Sequence, residues 1–416
     1  YGFLSAFEDN FSLSAIKDEK KFELAGTPSD YGIIRLLYER NDKRSYRALG
    51  FMSTAALSDA GDVLTHGLDV HYLSEGGKFR LDGQFFASNL VSSETGYGGF
   101  LDFEYTPRQG IKQRFGIEYL DENVDLNDLG FLERNDNFRI RTAHTRFNPN
   151  PSWARNNYFD LRGYMQRNRD GLLTGAGLFL VNRMTFHKLS KFTFRAGFSP
   201  ALYDDLNSFG NGTYRIKPDY FSGVLWETDS SKPLSLKIGA GYSREDLGGY
   251  SQTLRLEMNW QPEDQLFVRA GLRYMNRTGW LLHQNHNIFS TFDAEQWQPK
   301  ITADYFITAR QHIRASFQWV GIKAWENENF FLPLSSRRLI KKQELASEDK
   351  SFSVSQVSLQ LRYRWEIAPL SDLFLVYTRL VDSTGPIRSF KNIFTDGYQH
   401  PFENLFVVKL RYRFGS

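Results

Sequence analysis

The chain has 416 residues, 51 basic and 48 acidic, a formal charge of +3 that is too balanced for a nucleic-acid binder. Phe 36, Tyr 21 and Trp 8 make it 16% aromatic, yet apolar residues total only 41% and mean hydropathy is -0.47. Cysteine is absent, which excludes disulfide scaffolds, thiol catalysis, Cys-ligated metal centres and a lipid-modified N-terminal Cys, and no run of about 18 apolar residues provides a transmembrane helix. A large all-β protein remains, either a soluble sandwich or propeller, or a barrel in a membrane.

In chain order the hydropathy pattern predicts strands at 1–9, 30–41, 45–58, 63–76, 78–90, 96–107, 111–122, 135–147, 156–167 and 172–186. They continue at 191–204, 217–229, 234–245, 250–261, 265–277, 297–309, 311–325, 352–368, 371–383 and 402–414. Successive side chains of a strand point to opposite faces. Leu234, Leu236, Ile238, Ala240 and Tyr242 therefore share one face, against Ser235, Lys237, Gly239, Gly241 and Ser243. Leu254, Leu256, Met258 and Trp260 likewise oppose Thr253, Arg255, Glu257 and Asn259.

Alternation alone also fits a soluble sandwich. Three features point to lipid instead. The alternating runs match the roughly 9–11 residues that a tilted strand needs to cross a bilayer, where soluble strands average about 5–6. The apolar face often ends in Tyr or Trp, as at Tyr242, Trp260, Tyr274, Trp365 and Tyr412. The polar face carries Arg, Lys, Glu and Gly, the lining of a wet or salt-bridged interior.

Every second connector is short and turn-like, as at 41–44, 107–110, 187–190, 261–264, 309–311 and 368–371. Those at 10–29, 123–134, 205–216, 278–296, 326–351 and 384–401 are long. Outer-membrane barrels have short periplasmic turns, long outer loops and an even strand number. The expected fold is a transmembrane antiparallel up-and-down β-barrel of about twenty strands (range 18–22), one domain over 1–414. Leu410, Tyr412 and Phe414 close the last alternating run, resembling the terminal signature read by barrel-assembly machinery. Gly415 and Ser416 read as an added tail. Tyr1 already sits in a strand pattern with no signal peptide, so the chain is expected to be a mature or excised piece.

The segment Gly130-Phe131-Leu132-Glu133-Arg134-Asn135-Asp136, after an acidic, Asn-rich lead-in from Asp121, resembles an uncharacterised family of Gram-negative outer-membrane proteins. Asp30-Tyr31-Gly32-Ile33-Ile34-Arg35 and Tyr377-Thr378-Arg379 are similar to it as well. In that family a C-terminal barrel typically follows an N-terminal module like family-9 carbohydrate-binding domains, and only the barrel part is matched here. The resemblance implies fold and location; it supplies no catalytic residue.

The lumen and selectivity candidates are Arg114, Arg162, Arg195, Arg255, Arg269, Arg273, Arg314, Arg362 and Arg364, on the inferred inward face. Arg35, Arg80, Arg411 and Arg413 share that face with Asp82, Asp102, Glu104, Glu118, Asp160 and Glu257. Such a wall either favours anionic solutes, since rings of charge set selectivity, or forms a cross-strand salt-bridge lattice. Asp121, Asn123 and Asp125 have oxygen-ligand spacing reminiscent of a calcium loop, but the turn glycine and distal Glu are missing, and a loop-ordering hydrogen-bond cluster is the competing reading. His283 and His286, with Asp293 near in sequence, are the general-base candidates of a rim hydrolase, against the reading of polar loop residues. Trp280, Trp297, Trp325, Phe330, Phe331, Phe390, Phe394 and Tyr398 fall in or beside predicted outer loops, as an inward plug, an aromatic girdle or a partner surface. Arg337, Arg338, Lys341 and Lys342 face lipopolysaccharide, an acidic partner or solvent.

The leading expectation is a porin-like outer-membrane channel for small anionic or saccharide solutes. It is non-enzymatic and without cofactor, with outer-membrane lipid, lipopolysaccharide, the assembly machinery and a carbohydrate-binding-like module as partners. The alternative is a non-conducting barrel that anchors a surface or periplasmic module.

Overall fold

The computed structural model describes every residue except 10, 18–19, 27, 43–44, 60, 91–93, 127–131, 334, 343–348 and 415–416, and for 11–25 and 90 only the backbone. The strands begin with β1 (Gly2–Phe7), β2 (Phe11–Lys17), β3 (Lys20–Gly26), β4 (Ser29–Asp42), β5 (Ser45–Ser58), β6 (Val63–Leu73), β7 (Phe79–Leu90) and β8 (Gly96–Arg108). Next come β9 (Ile111–Leu120), β10 (Asn137–Asn148), β11 (Asn156–Arg167), β12 (Leu173–Thr185), β13 (Lys191–Ser199), β14 (Tyr203–Asp204), β15 (Tyr214–Arg215), β16 (Asp219–Glu227) and β17 (Leu234–Arg244). The series ends with β18 (Tyr250–Glu263), β19 (Leu266–Asn285), β20 (Ile288–Thr308), β21 (Gln311–Phe331), β22 (Ile340–Lys341), β23 (Phe352–Ala368), β24 (Ser371–Gly385), helix α1 (Phe390–Gln399) and β25 (Glu403–Arg411).

Twenty-one strands belong to one sheet, while β2–β3 and β14–β15 form separate hairpins. Setting aside the two-residue β22 leaves the twenty long strands expected from the alternation. The chain exposes 26417 Å², against roughly 16,500 Å² for a soluble monomer of its mass.

Register shows why these residues make strands. Leu236 pairs with Met258, Ile238 with Leu256 and Ala240 with Leu254, so apolar meets apolar on one face. Lys237 pairs with Glu257 on the other. The apolar face is nonetheless open, with Ile238 48%, Leu254 58% and Leu256 50% exposed. Exposed apolar rows of this length mark an interaction face.

The chain divides into two compact units, Tyr1–Phe147 with Asp160–Leu178, and Asn148–Phe159 with Phe179–Ser416. In the first, β1 pairs with β4, and β4 to β10 pair in sequence order, all antiparallel. Its core is small: Phe86, Leu120 and Val124 lie where the 121–136 connector folds back on β7 and β9. Gly110 makes the tight β8–β9 turn at φ 84°, a left-handed conformation that glycine adopts without strain.

In the second unit β13 pairs with β16, and the order then runs β16 to β21, β23, β24 and β25, again antiparallel. Three strands depart from the expectation. β19, β20 and β21 run to Asn285, from Ile288 and to Phe331, so most of the expected 278–296 loop is a hairpin. These extensions depart from the alternating pattern of the strands they prolong. Phe292, Ala294 and Ala324 are buried against Trp280, Leu282 and Phe352, so apolar residues fall on a face that is polar lower down. The expected 205–216 and 326–351 loops carry short strand pairs, and 10–29 holds the β2–β3 hairpin.

Helix α1 occupies the expected 384–401 loop. Ser389 caps it, accepting from the Asn392 amide at 3.2 Å, and Pro401 follows its end. Ile393 and Gly397, four apart, form its buried face. The final strand also stops short of the expected 414. β24 begins at Ser371, and Asp372 pairs with Arg411, so Tyr412 falls opposite the first residue of that partner and Phe414 past its end. The 415–416 tail falls outside the described residues.

Candidate functional site

The second unit's polar face concentrates charge where β16 to β21 run side by side. Register lays it out in rows. Gly239, Arg255, Arg273 and Gln298 lie across the strands in one. Two residues along come Lys237, Glu257, Gly271, Lys300 and Gln318. The third holds Ser235, Asn259, Arg269, Thr302, Ser316 and Gln360. A cavity of about 930 Å³ lies over these rows, lined also by Arg195 and Arg314.

Two placements are costly for the sheet. Arg255 stands directly opposite Arg273, and Arg314 opposite Arg362. Like charges so placed destabilise a strand pair. Partial neutralisation comes from Glu257, which accepts from Arg255 at 2.8 Å and lies 3.7 Å from Lys237, and from Asp304, 3.6 Å from Arg314. Arg269 donates to the neutral Asn259 at 2.9 Å. Among the described residues Arg195, Arg269, Arg273, Lys300 and Arg362 form no salt bridge, and the Arg362 Nε is buried without a partner. Arg364 differs: it donates at 2.8 Å to Asp372, which is fully buried and also accepts from Arg411.

The first unit's polar face is built on the opposite principle. Arg35 donates to Asp69 at 2.8 Å, His71 bridges Asp69 and Asp82, and Arg80 bonds Asp82 at 2.6 Å. Lys112 holds Glu104 at 2.7 Å and Arg141 holds Asp102 at 2.7 Å. Asp160, 1% exposed, accepts from Thr145 at 2.5 Å, from Arg114 at 3.2 Å and from Arg162. Arg114 and Arg162 thus belong to a lattice, whereas Arg195, Arg255, Arg269, Arg273 and Arg314 share the cavity. Alternation alone could not sort them, because it says nothing of partners on other strands, such as Asp160 of β11 for Arg114 of β9.

The other candidates are placed as follows. Asp121 accepts from the amides of Tyr97 at 2.7 Å and Asn123 at 3.0 Å, and Asn135 donates to the carbonyls of Glu122 and Val124. These bonds order the loop; the Asp125 carbonyl accepts from Ser88. Asn127, Asp128 and the Gly130-Phe131 start of the family-like segment lie outside the described residues. His283 lies in β19 and meets the carbonyl of His286, in the turn, at 2.7 Å, while Asp293 accepts from the Gly279 amide at 3.0 Å. The structure does not join the histidines to Asp293.

The expected plug aromatics go elsewhere. Phe390 and Phe394 of α1 pack edge-on against Trp319, 6.2 and 5.3 Å between ring centres. Trp319 alternates with the cavity-lining Gln318, so α1 lies on the apolar face of β21. Trp280, Trp297, Trp325, Phe330 and Phe331 are strand residues. In the basic connector Lys341 bonds Glu328 and the Arg337 carbonyl accepts from the Arg215 amide.

At the same end of the second unit Tyr214 packs with Leu281, Phe289, Phe330 and Leu332, and its hydroxyl donates to Asp204 at 3.1 Å. Burial, with Glu245 and Asp204 adding repulsion, pushes the Asp246 carboxyl up to about 6.

A family model described as a domain of unknown function (DUF5916) matches residues 34–414. The chain belongs to this family. The match runs from within β4 to beyond β25, leaving out β1, and bears on no sugar-binding module. No curated protein matches. Among solved structures, the siderophore receptor PirA from Acinetobacter baumannii is similar with a TM-score of 0.37 and 7% identity, over 91% of this chain and 73% of that one.

Proposed function

We propose that the chain is an outer-membrane β-barrel acting as a transport-related pore for small solutes, with a preference for anions. The observation that carries this reading is the pair of faces on one sheet. One is a bare apolar surface, Ile238, Leu254 and Leu256 among it. The other is a polar wall whose arginines outnumber their carboxylate partners around a cavity of about 930 Å³. Twenty long up-and-down strands are an even number, as closure in an outer membrane requires. An arginine-lined passage lowers the barrier to anions by supplying fixed positive charge in place of lost hydration. Passage is the activity, and no covalent step belongs to it. Lipopolysaccharide around the barrel and assembly machinery acting on the terminal strand are the partners this reading carries.

The neutralised lattice of the first unit favours a second reading, a non-conducting barrel that anchors a surface or periplasmic module. Planar bilayers separate the two. A pore gives discrete conductance steps, and Arg269→Glu with Arg273→Glu shifts its reversal potential toward cations. Silence of the folded protein over a wide voltage range sinks the pore and leaves the anchor.

A further inference from the structure

We infer that the hollow on the second unit's polar face is a binding site for a multivalent oxyanion, of the phosphate or polycarboxylate class. The inference deepens the pore reading and rests on it only for how the anion arrives.

The floor carries the argument. Gly223, Gly239, Gly241 and Gly271 line the cavity from β16, β17 and β19. Glycine weakens a strand interior, and its presence there often marks a place where a ligand comes close to the backbone. None of the four has a positive φ, so none is needed for the chain's own conformation. A Cβ at Gly241 or Gly271 would come no closer than 3.7 Å to any atom, and at Gly223 no closer than 3.4 Å. Only Gly239 is tight, at 3.1 Å. The chain itself thus has room for side chains at three of these positions, and what they would fill is the hollow.

The rim gives the chemistry. Arg195, Lys237, Arg255, Arg269, Arg273, Lys300 and Arg314 border the hollow, and its lining holds one carboxylate, Glu257. Seven cations against one lining carboxylate, two of the arginines face to face, leave several fixed positive charges to be met by a ligand. Guanidinium forks fit carboxylate and phosphate oxygens in bidentate geometry. No aromatic ring lines the hollow, so it offers no stacking platform for a neutral sugar. A single chloride would leave most of the rim unsatisfied; an ion with several oxyanion groups reaches both arginines and Lys300 across the glycine floor.

The test is calorimetric titration of the folded, detergent-solubilised protein at low salt. Inorganic tripolyphosphate and citrate are the two ligand arms, and chloride is the monovalent control. Saturable binding of either polyanion, with chloride at least about tenfold weaker, is expected, and the arm that binds more tightly names the class. Gly271→Leu and Gly241→Leu fill the floor with charge unchanged and weaken binding about tenfold or more, as does Arg273→Gln; Arg80→Gln, in the first unit's lattice, leaves it unchanged. Should a leucine variant fail to fold, Gly271→Ser with Arg273→Gln carries the same comparison. Equal binding in floor-filled and parent protein, or an equal loss in Arg80→Gln, overturns the site in favour of diffuse charge. Conductance of the same preparations keeps the two readings apart. Conductance without saturable binding defeats the site alone, and binding without conductance defeats the pore alone.

Discussion

Neutralising one arginine of the facing pair should stabilise the sheet. Arg255 and Arg273 are directly opposite on β18 and β19, a placement that sets Cβ atoms about 5 Å apart. With the guanidinium charges roughly 6 Å apart, their repulsion is about 0.7 kcal/mol in water and about 3 kcal/mol at an effective dielectric of 20. The Arg255 side chain is 59% exposed and bonded to Glu257 at 2.8 Å, so solvent and that carboxylate hold the net effect near the lower figure. Arg273→Gln, which removes the charge and keeps a polar chain, is therefore expected to raise unfolding stability by about 0.5–1 kcal/mol. Reversible urea unfolding in phospholipid vesicles, followed by tryptophan fluorescence, measures it. The gain should shrink as ionic strength passes 0.1 M, where the screening length is about 10 Å. Arg162→Gln is the contrasting case. It removes a partner from Asp160, which is 1% exposed, and should cost about 1–3 kcal/mol although Arg114 remains at 3.2 Å. If Arg273→Gln proves neutral or destabilising at low salt, the facing arginines are not in net repulsion, and the argument for an unsatisfied cationic wall loses its premise.

Gly397→Leu should dislodge helix α1, because even a Cβ there lies 3.0 Å from Val381 and 3.2 Å from Ser355; quenching of Trp319 emission and new proteolysis within 386–402 report it. Gly110→Ala should destabilise the β8–β9 turn by about 1 kcal/mol or more, since φ is 84° and the new Cβ would stand 2.4 Å from the Phe147 carbonyl; a lower urea midpoint with unchanged slope checks it. Asp246 gives a pH dependence. Its folded-state pKa, about 6, lies above the ordinary 3.8, so its contribution to stability is fully present below about pH 4 and is lost as pH rises through 6. Hydrogen-exchange protection around Tyr214 and Leu281, corrected for the intrinsic pH dependence of exchange, should accordingly be greater at pH 5 than at pH 7.5, and Asp246→Asn should flatten the difference.

Much of the fold was legible in the residues themselves. A strand with one apolar and one polar face must alternate strictly, because a slip of one residue exchanges the faces, so the expected 156–167 and 352–368 coincide with β11 and β23. Where that constraint lapses the reading failed. Ile288–Gln296 reads as a loop in the sequence and is part of β20 in the structure, because beyond the apolar band either face can be polar or packed. The 390–399 segment shows the same limit. Its sequence supports a helix, but that α1 lies against Trp319 on the apolar face, and not inside the sheet, depends on the long-range register.

Sequence by itself determined which residues share a face, since that follows from a local period of two. It therefore placed Arg114, Arg162, Arg195, Arg255, Arg269 and Arg273 together on the polar side. Only the tertiary structure decided what each meets there. Pairing across strands brings Asp160, already beside Arg162 on β11, to Arg114, and sets Arg273 against Arg255 with four glycines nearby. Alternation is a property of neighbours along the chain, whereas charge balance is a property of neighbours across it.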